Sequence, residues 1–253
     1  MKKIDRIGEV INNTDGTPMK IIEYNKAIDI IVEFQDEYKA KVSTRYQQFK
    51  DGKVKNPYSK SVYNVGYLGQ GKYIPKECKK IYNEWFSMIQ RCYDPYYINK
   101  YPTYKDVFVC DEWHNFQNFA QWWEENVYNS NNERMELDKD ILIKGNKIYS
   151  PKTCVIVPQK INYLFTKRQN NRGECVIGVN YEYERNKYRA TCNICINNKP
   201  SQIVKRFETE IEAFYWYKQQ KENHIKQIAD MYKNIIPENL YKALYRYEVE
   251  IND

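Results

Sequence analysis

Asp138 and Asp140 flank Lys139 in the run Leu137-Asp138-Lys139-Asp140. Gly145-Asn146-Lys147, then Ser150-Pro151-Lys152-Thr153-Cys154, then Asn162 follow within 25 residues. Carboxylates at i and i+2 share one face of a strand, and with an asparagine oxygen they form a ligand set for a hard divalent ion such as Mg2+ or Mn2+. The same pair reads equally as solvated hairpin acids beside Lys139 and Lys144. Metal-assisted hydrolysis also needs a general base, and neutral imidazole suits that role near pH 7. A lysine stays protonated unless burial or cationic neighbours depress its pKa, and two flanking aspartates favour the charged form. The chain has two histidines, His114 and His224, both distant in sequence from this run.

The elements that must position these residues are legible from apolar periodicity. Residues 1 to about 70 form a small β-rich module, with strands at Met19–Tyr24, Ile28–Phe34 and Lys39–Val42 separated by turn material. Three glycines between Gly66 and Gly71 mark the first boundary. From Pro75 the spacing of Cys78, Ile81, Tyr82, Trp85, Met88 and Ile89 predicts a helix ending near Asp94-Pro95. A short strand at Val107–Cys110 precedes a second helix with Phe116, Phe119, Trp122 and Trp123 on its apolar side; these aromatics read as core.

The order of these pieces, from Trp85 through Val109-Cys110-Asp111-Glu112-Trp113 and Leu137-Asp138-Lys139-Asp140 to Thr153-Cys154 and Asn162, resembles phage-encoded HNH (His-Me finger) endonucleases over residues 85 to 165. The resemblance implies a ββα-metal fold. Asp138 then matches the metal-binding acid, Lys139 stands where the catalytic histidine belongs, and Asn162 matches the last motif residue on the helix. Asn146 falls in the hairpin loop, and Thr153 and Cys154 replace an Asn-Leu pair. With the histidine gone the catalytic positions Asp138, Lys139 and Asn162 are expected to be inactive. Asp138 and Asp140 remain the candidate ligands of Mg2+ or Mn2+, and no cofactor is required.

Further on, Gly178-Val179, Lys187-Tyr188-Arg189-Ala190 and Phe207-Glu208-Thr209-Glu210-Ile211-Glu212-Ala213-Phe214 resemble the AP2 domain, three strands followed by a helix. Thr209 and Glu212 have capping-box spacing. Strand alternation places Tyr188, Ala190, Cys192 and Ile194 toward the helix and Lys187, Arg189, Thr191 and Asn193 outward. AP2 domains lay this outward face in the major groove, so the resemblance makes Arg185, Lys187, Arg189, Asn193, Lys199, Lys205 and Arg206 the nucleic-acid-binding residues. From Thr166 to Lys226 twelve Lys or Arg stand against seven acids.

The expected fold is therefore α+β, divided as a β-module (1–70), an HNH-like region (71–168), an AP2-like sheet and helix (169–226) and a helical tail (227–253). A net charge of +7 and 25 tyrosines fit a nucleic-acid partner, although an AT-rich coding sequence also enriches Tyr. Seven scattered cysteines and no visible signal peptide or transmembrane stretch point to reduced thiols in the cytoplasm of a bacterial host and no membrane partner. Cys192 and Cys195 have zinc-knuckle spacing, but three residues apart on a strand their sulfurs diverge. Double-stranded DNA binding on a catalytically degenerate scaffold is the leading expectation. Inhibition of a host defence protein complex, an anti-defence role, is one alternative, and a metal-dependent endonuclease with an unconventional base is another. The tail is of a kind that docks on a neighbouring domain or a second subunit of an oligomer.

Overall fold

The computed structural model describes residues 5–166, 174–196 and 199–253, with no side-chain description of Ile196. Helix and sheet are mixed along the chain, as an α+β fold requires. The chain divides into two compact units. Unit 1 comprises Met1–Glu125 with Lys147–Ser150, and unit 2 comprises Asn126–Asn146 with Pro151–Asp253. Among the described residues no helix is long and apolar enough to cross a membrane.

Unit 1 opens with an antiparallel meander of β1 (Val10–Asn12), β2 (Pro18–Lys26), β3 (Asp29–Phe34) and β4 (Lys41–Thr44), in sheet order 1-2-3-4. Alternation buries Met19 and Ile21 from β2 and Ile30, Val32 and Phe34 from β3, with Phe49 from helix α1 (Tyr46–Lys50) closing the cluster. The expected strand at Lys39–Val42 begins two residues later. Asp36 Oδ1 accepts bonds from the Tyr38 and Lys39 amides, and Lys39 sits at φ 50°, so the turn consumes those residues.

The glycines that mark the expected first boundary lie in close packing. A Cβ on Gly66 would lie 2.9 Å from the Trp85 ring, and the neighbouring Tyr67 exchanges backbone hydrogen bonds with His114 and Phe116. Helices α2 (Lys79–Tyr93), α3 (Pro95–Lys100) and α4 (Phe116–Asn126) follow, with β5 (Phe108–Val109) before α4. Trp85, Trp113, Phe116 and Phe119 are fully buried, and Trp85 Nε1 donates to the Trp113 carbonyl at 2.8 Å. The strand β7 (Ile148–Tyr149) pairs in parallel with β5.

In unit 2, β6 (Met135–Asp138) pairs antiparallel with β8 (Val155–Pro158), and the one-turn helix α5 (Gln159–Asn162) follows directly. The sheet β9 (Val179–Glu182), β10 (Lys187–Ile196) and β11 (Lys199–Phe207) is antiparallel, with β10 central. Helix α6 (Glu210–Met231) packs on it, and α7 (Glu238–Arg246) completes the unit. The expected boundary at 226/227 falls within α6, which runs through it unbroken. Two apolar clusters meet α6. Ala213 and Phe214 pack with Val179, Ala190 and Val249, whereas Ile225, Ile228, Ala229 and Tyr232 pack with Val155, Val157 and Ile161 and with Leu240 and Leu244 of α7. The tail therefore docks within its own unit.

His224 lies between these clusters on α6, 5 % exposed, with no hydrogen-bond partner for Nδ1. Burial, and then the charge of Lys221, hold its pKa below the ordinary histidine value. The unfolded chain therefore takes up this proton first as pH falls. Stability is complete above the unfolded pKa of about 6.5 and declines as pH drops toward the folded value. His114, lowered by burial as well, adds a slope of the same sign. Thermal unfolding followed from pH 8 to pH 5 should show Tm falling below about 6.5, and His224→Gln should flatten that fall.

Candidate functional site

Around Asp138 the chain has the expected strand–strand–helix order, but the side chains are engaged in holding the connection together. β6 ends at Asp138, so Asp140 lies in the turn and shares no strand face with it. That corrects the expectation of two carboxylates aligned by a strand. Asp138 Oδ1 accepts from the amides of Asp140 (2.8 Å) and Ile141 (2.7 Å), the bonds that turn the chain out of the strand. Burial pushes the Asp138 carboxyl up, and those two amide bonds pull it back.

Lys139 is 9 % exposed. Its Nζ donates to both Asp140 carboxylate oxygens and to the Asn146 carbonyl, each at 2.8 Å. Asn146 Nδ2 returns a bond to the Lys139 carbonyl at 2.9 Å. An ammonium with three acceptors has its three protons committed and no lone pair with which to accept a substrate proton. Lys139 closes the connection as a strut.

Asn162 bonds neither Asp138 nor Asp140. Its Nδ2 donates to Glu136 Oε2 at 2.7 Å, and Gln159 Nε2 donates to Glu136 Oε1 at 2.8 Å. Glu136 is the acid that sequence reading missed. Its two-residue spacing from Asp138 on β6 was the available signal, but that spacing was read forward, to Asp140. Among the described residues no group of three or more His, Cys, Asp or Glu side chains is placed to hold a metal. Of the two histidines, His114 Nε2 lies 3.1 Å from the Val109 carbonyl in unit 1, and His224 is buried on α6. Cys192 is fully buried beneath α6 and Cys195 packs on the α6–α7 cluster, both as free thiols.

The β9–β10–β11 sheet is the more open arrangement. Helix α6 begins with the expected capping box: Thr209 Oγ1 accepts from the Glu212 amide, and the Glu212 carboxylate accepts from the Thr209 amide at 3.2 Å. Close docking also depends on Gly178, at φ +75°, where a Cβ would fall 2.3 Å from the Tyr217 ring. Ala190 and Cys192 are buried beneath α6, and the alternate residues of β10 face away from it.

Register defines that second face. Arg189 lies opposite Arg206 on one side and Asn180 on the other, Lys187 lies opposite Glu182, and Asn193 lies opposite Gln202. Three arginines converge on Glu182. Arg206 reaches it with two nitrogens at 2.6 and 3.2 Å, while the Nε atoms of Arg189 and Arg185 stand 3.6 and 3.8 Å away. The Arg206 hydrogen bond, with the charges of all three, holds the Glu182 carboxyl below its ordinary value. Lys187 pairs with Glu208, and Asn193 Oδ1 accepts from Gln202 Nε2 at 3.0 Å.

Two members of the expected basic surface belong elsewhere. Lys205 pairs with Ala190 and Lys199 with Ile196, so register gives both the helix-side parity of β11. Lys205 Nζ lies 5.3 Å from the Phe207 ring centroid, on that same side. β11 is an edge strand, which leaves both lysines exposed all the same. Their placement depended on an interstrand register that the sequence of one strand does not carry.

Replacing Lys139 with Met should remove the bonds that tie Asp140 and the Asn146 carbonyl together. Loss of about 1–3 kcal/mol in urea unfolding is expected, with Asp138→Asn milder because an Oδ1 acceptor remains. Comparison with family models, with curated proteins and with solved structures returns no match for this chain.

Proposed function

We propose that this protein binds double-stranded nucleic acid through the face of the β9–β10–β11 sheet that α6 leaves uncovered, with Arg185, Arg189 and Arg206 as its principal contacts. The carrying observation is the convergence of these three guanidinium groups on the single carboxylate of Glu182. Like charges directly opposite on neighbouring strands destabilise a sheet, yet Arg189 faces Arg206. Glu182 relieves that repulsion and leaves a surplus of two positive charges on this cluster. Backbone phosphates supply the missing countercharge, and release of their condensed ions drives association. A guanidinium fork also matches the O6 and N7 edge of guanine, and an asparagine or glutamine amide matches adenine, so Asn193 and Gln202 extend the same surface toward base reading. A sheet of this kind enters a groove as β-ribbon proteins do.

The β6–β8 hairpin is read as scaffold. Lys139 spends its donors on Asp140 and Asn146, and hydrolysis would need a base from elsewhere. One observation favours a second reading, a protein partner such as a host defence complex. Tyr183 is 81 % exposed beside Arg185, and Tyr215 is 62 % exposed on α6. Exposed tyrosines are common anchors of protein interfaces.

Fluorescence anisotropy with a labelled duplex, repeated across 50–200 mM salt, tests the nucleic-acid reading. Three phosphate contacts give a log–log slope of about −3, and the Arg189→Glu, Arg206→Glu double variant should lose at least about tenfold in affinity. Binding that ignores salt and survives both reversals would refute it. Glu182→Gln should act oppositely, tightening nonspecific binding and steepening the slope by about one. A protein-binding role would instead survive the arginine reversals and fail on Tyr183→Ala.

A further inference from the structure

Arg91 stands in the last turn of α2, in unit 1, within a cluster of tyrosines. Its Nε donates to the Ser87 carbonyl at 3.1 Å, and Nη1 lies 3.4 Å from the Tyr149 hydroxyl. The guanidinium carbon sits 5.9 Å from the Tyr149 ring centroid, and the Tyr104 hydroxyl also hydrogen-bonds the group. Tyr97 continues the cluster, with its ring 4.7 Å from that of Tyr101 and 5.6 Å from that of Tyr104. A second cation is at hand, since Lys100 Nζ lies 5.4 Å from the Tyr101 ring centroid.

What this cluster lacks is a carboxylate. Arg6, Arg134 and the three sheet arginines each have one as an ion-pair partner. Among the described residues none comes within 4.0 Å of Arg91, and Glu84 on the same helix acts on it only from longer range. A largely enclosed charge without a counterion is costly. Bonds to Ser87, Tyr149 and Tyr104 leave two of the five guanidinium donors uncommitted, enough for a paired contact. Tyrosine hydroxyls add donors that can turn toward an anion, whereas a carboxylate would have repelled one. The frame is also stiff. Pro95 starts α3 and Pro102 starts the single turn that carries Tyr104, and the Asp94 side chain caps α3 through the Tyr96 amide at 3.0 Å. Such fixing lowers the ordering cost of binding. Access is present, since Tyr101 is 40 % exposed and Arg91, Tyr97 and Tyr104 are half-buried.

We propose that Arg91 and the hydroxyls of Tyr97, Tyr101 and Tyr104 form a binding site for a phosphate group. The guanidinium presents paired N–H donors to two phosphate oxygens, and the tyrosines bond the remainder. The shared chemistry is a tetrahedral oxyanion, supplied either by a nucleic-acid backbone or by a small phosphate. The site is independent of the sheet arginines, so it stands or falls separately from the reading above.

Phosphorus NMR of inorganic phosphate titrated with the full-length protein gives the test. Saturable broadening at millimolar phosphate is expected. Arg91→Lys, which keeps the charge and loses the fork, should weaken it by about tenfold, and Tyr104→Phe by about threefold. In the Arg189→Glu, Arg206→Glu background, which removes any phosphate binding at the sheet, saturable broadening should persist and should still fall with Arg91→Lys. Competition by dimethyl phosphate at similar concentrations assigns the site to a diester backbone; its failure assigns the site to a small phosphate. Absence of saturable binding overturns the proposal, as does binding that Tyr104→Phe and Arg91→Lys leave unchanged. If Arg91→Lys does not fold, the double variant Tyr101→Phe, Tyr104→Phe decides in its place.

Discussion

Helix α6 is the constraint on which unit 2 depends. Its 22 residues run about 33 Å at 1.5 Å per residue, long enough to pack on two separate elements. Ala213 and Phe214 near its start bury the inner face of the β9–β10–β11 sheet. Ile225, Ile228 and Ala229 near its end cover Val155 and Val157 of β8 and Ile161 of α5. One rigid rod thereby fixes the basic sheet and the β6–β8 hairpin as parts of the same body. The C-terminal segment strengthens it: Lys218 donates to the Val249 carbonyl at 2.7 Å, and Glu222 accepts from the Val249 amide at 2.8 Å.

In the hairpin, polar side chains are ordered by one another and by the local backbone. Asp138, Lys139, Asp140 and Asn146 satisfy one another and the local backbone, and Asn162 satisfies Glu136. The bonds around Lys139 are local and close a chain reversal, and Asn162 ties α5 to β6, so the set stabilises a shape. Lys144 extends this toward the C terminus through Asp253 at 2.8 Å, which is buried. On the sheet the charges are arranged differently. Three arginines share one carboxylate, on the sheet face opposite α6, and the surplus positive charge stays there.

Arg91 presents the same imbalance in an enclosed setting. Solvent screens the sheet arginines, but a half-buried guanidinium among tyrosines has little water to substitute for a counterion. The chemistry that links the two places is a shortage of carboxylate beside arginine. The AP2 resemblance pointed to the sheet arginines, whereas no motif marked Arg91. Arg91 is one residue in an amphipathic helix, and its tyrosines come from α3, the turn at Pro102 and β7.

Local patterns were enough for much of the fold. Alternation in β10 placed Ala190 and Cys192 inward because the side-chain period of a strand is two, and Thr209 with Glu212 announced the start of α6 because a capping box needs only four adjacent residues. The tryptophans of α2 and α4 read as core from helical spacing alone; Trp85 and Trp123 are buried, and Trp122 is half-buried. The sequence by itself determined these features because each depends on neighbours in the chain. Tertiary structure decided what depends on partners far away. Interstrand register moved Lys199 and Lys205 to the helix side of β11, the end of β6 removed Asp140 from the face of Asp138, and packing around Gly66 turned an apparent linker into a close contact. The convergence of Arg185, Arg189 and Arg206 on Glu182 belongs to the same class, because a shared counterion is a property of three strands together.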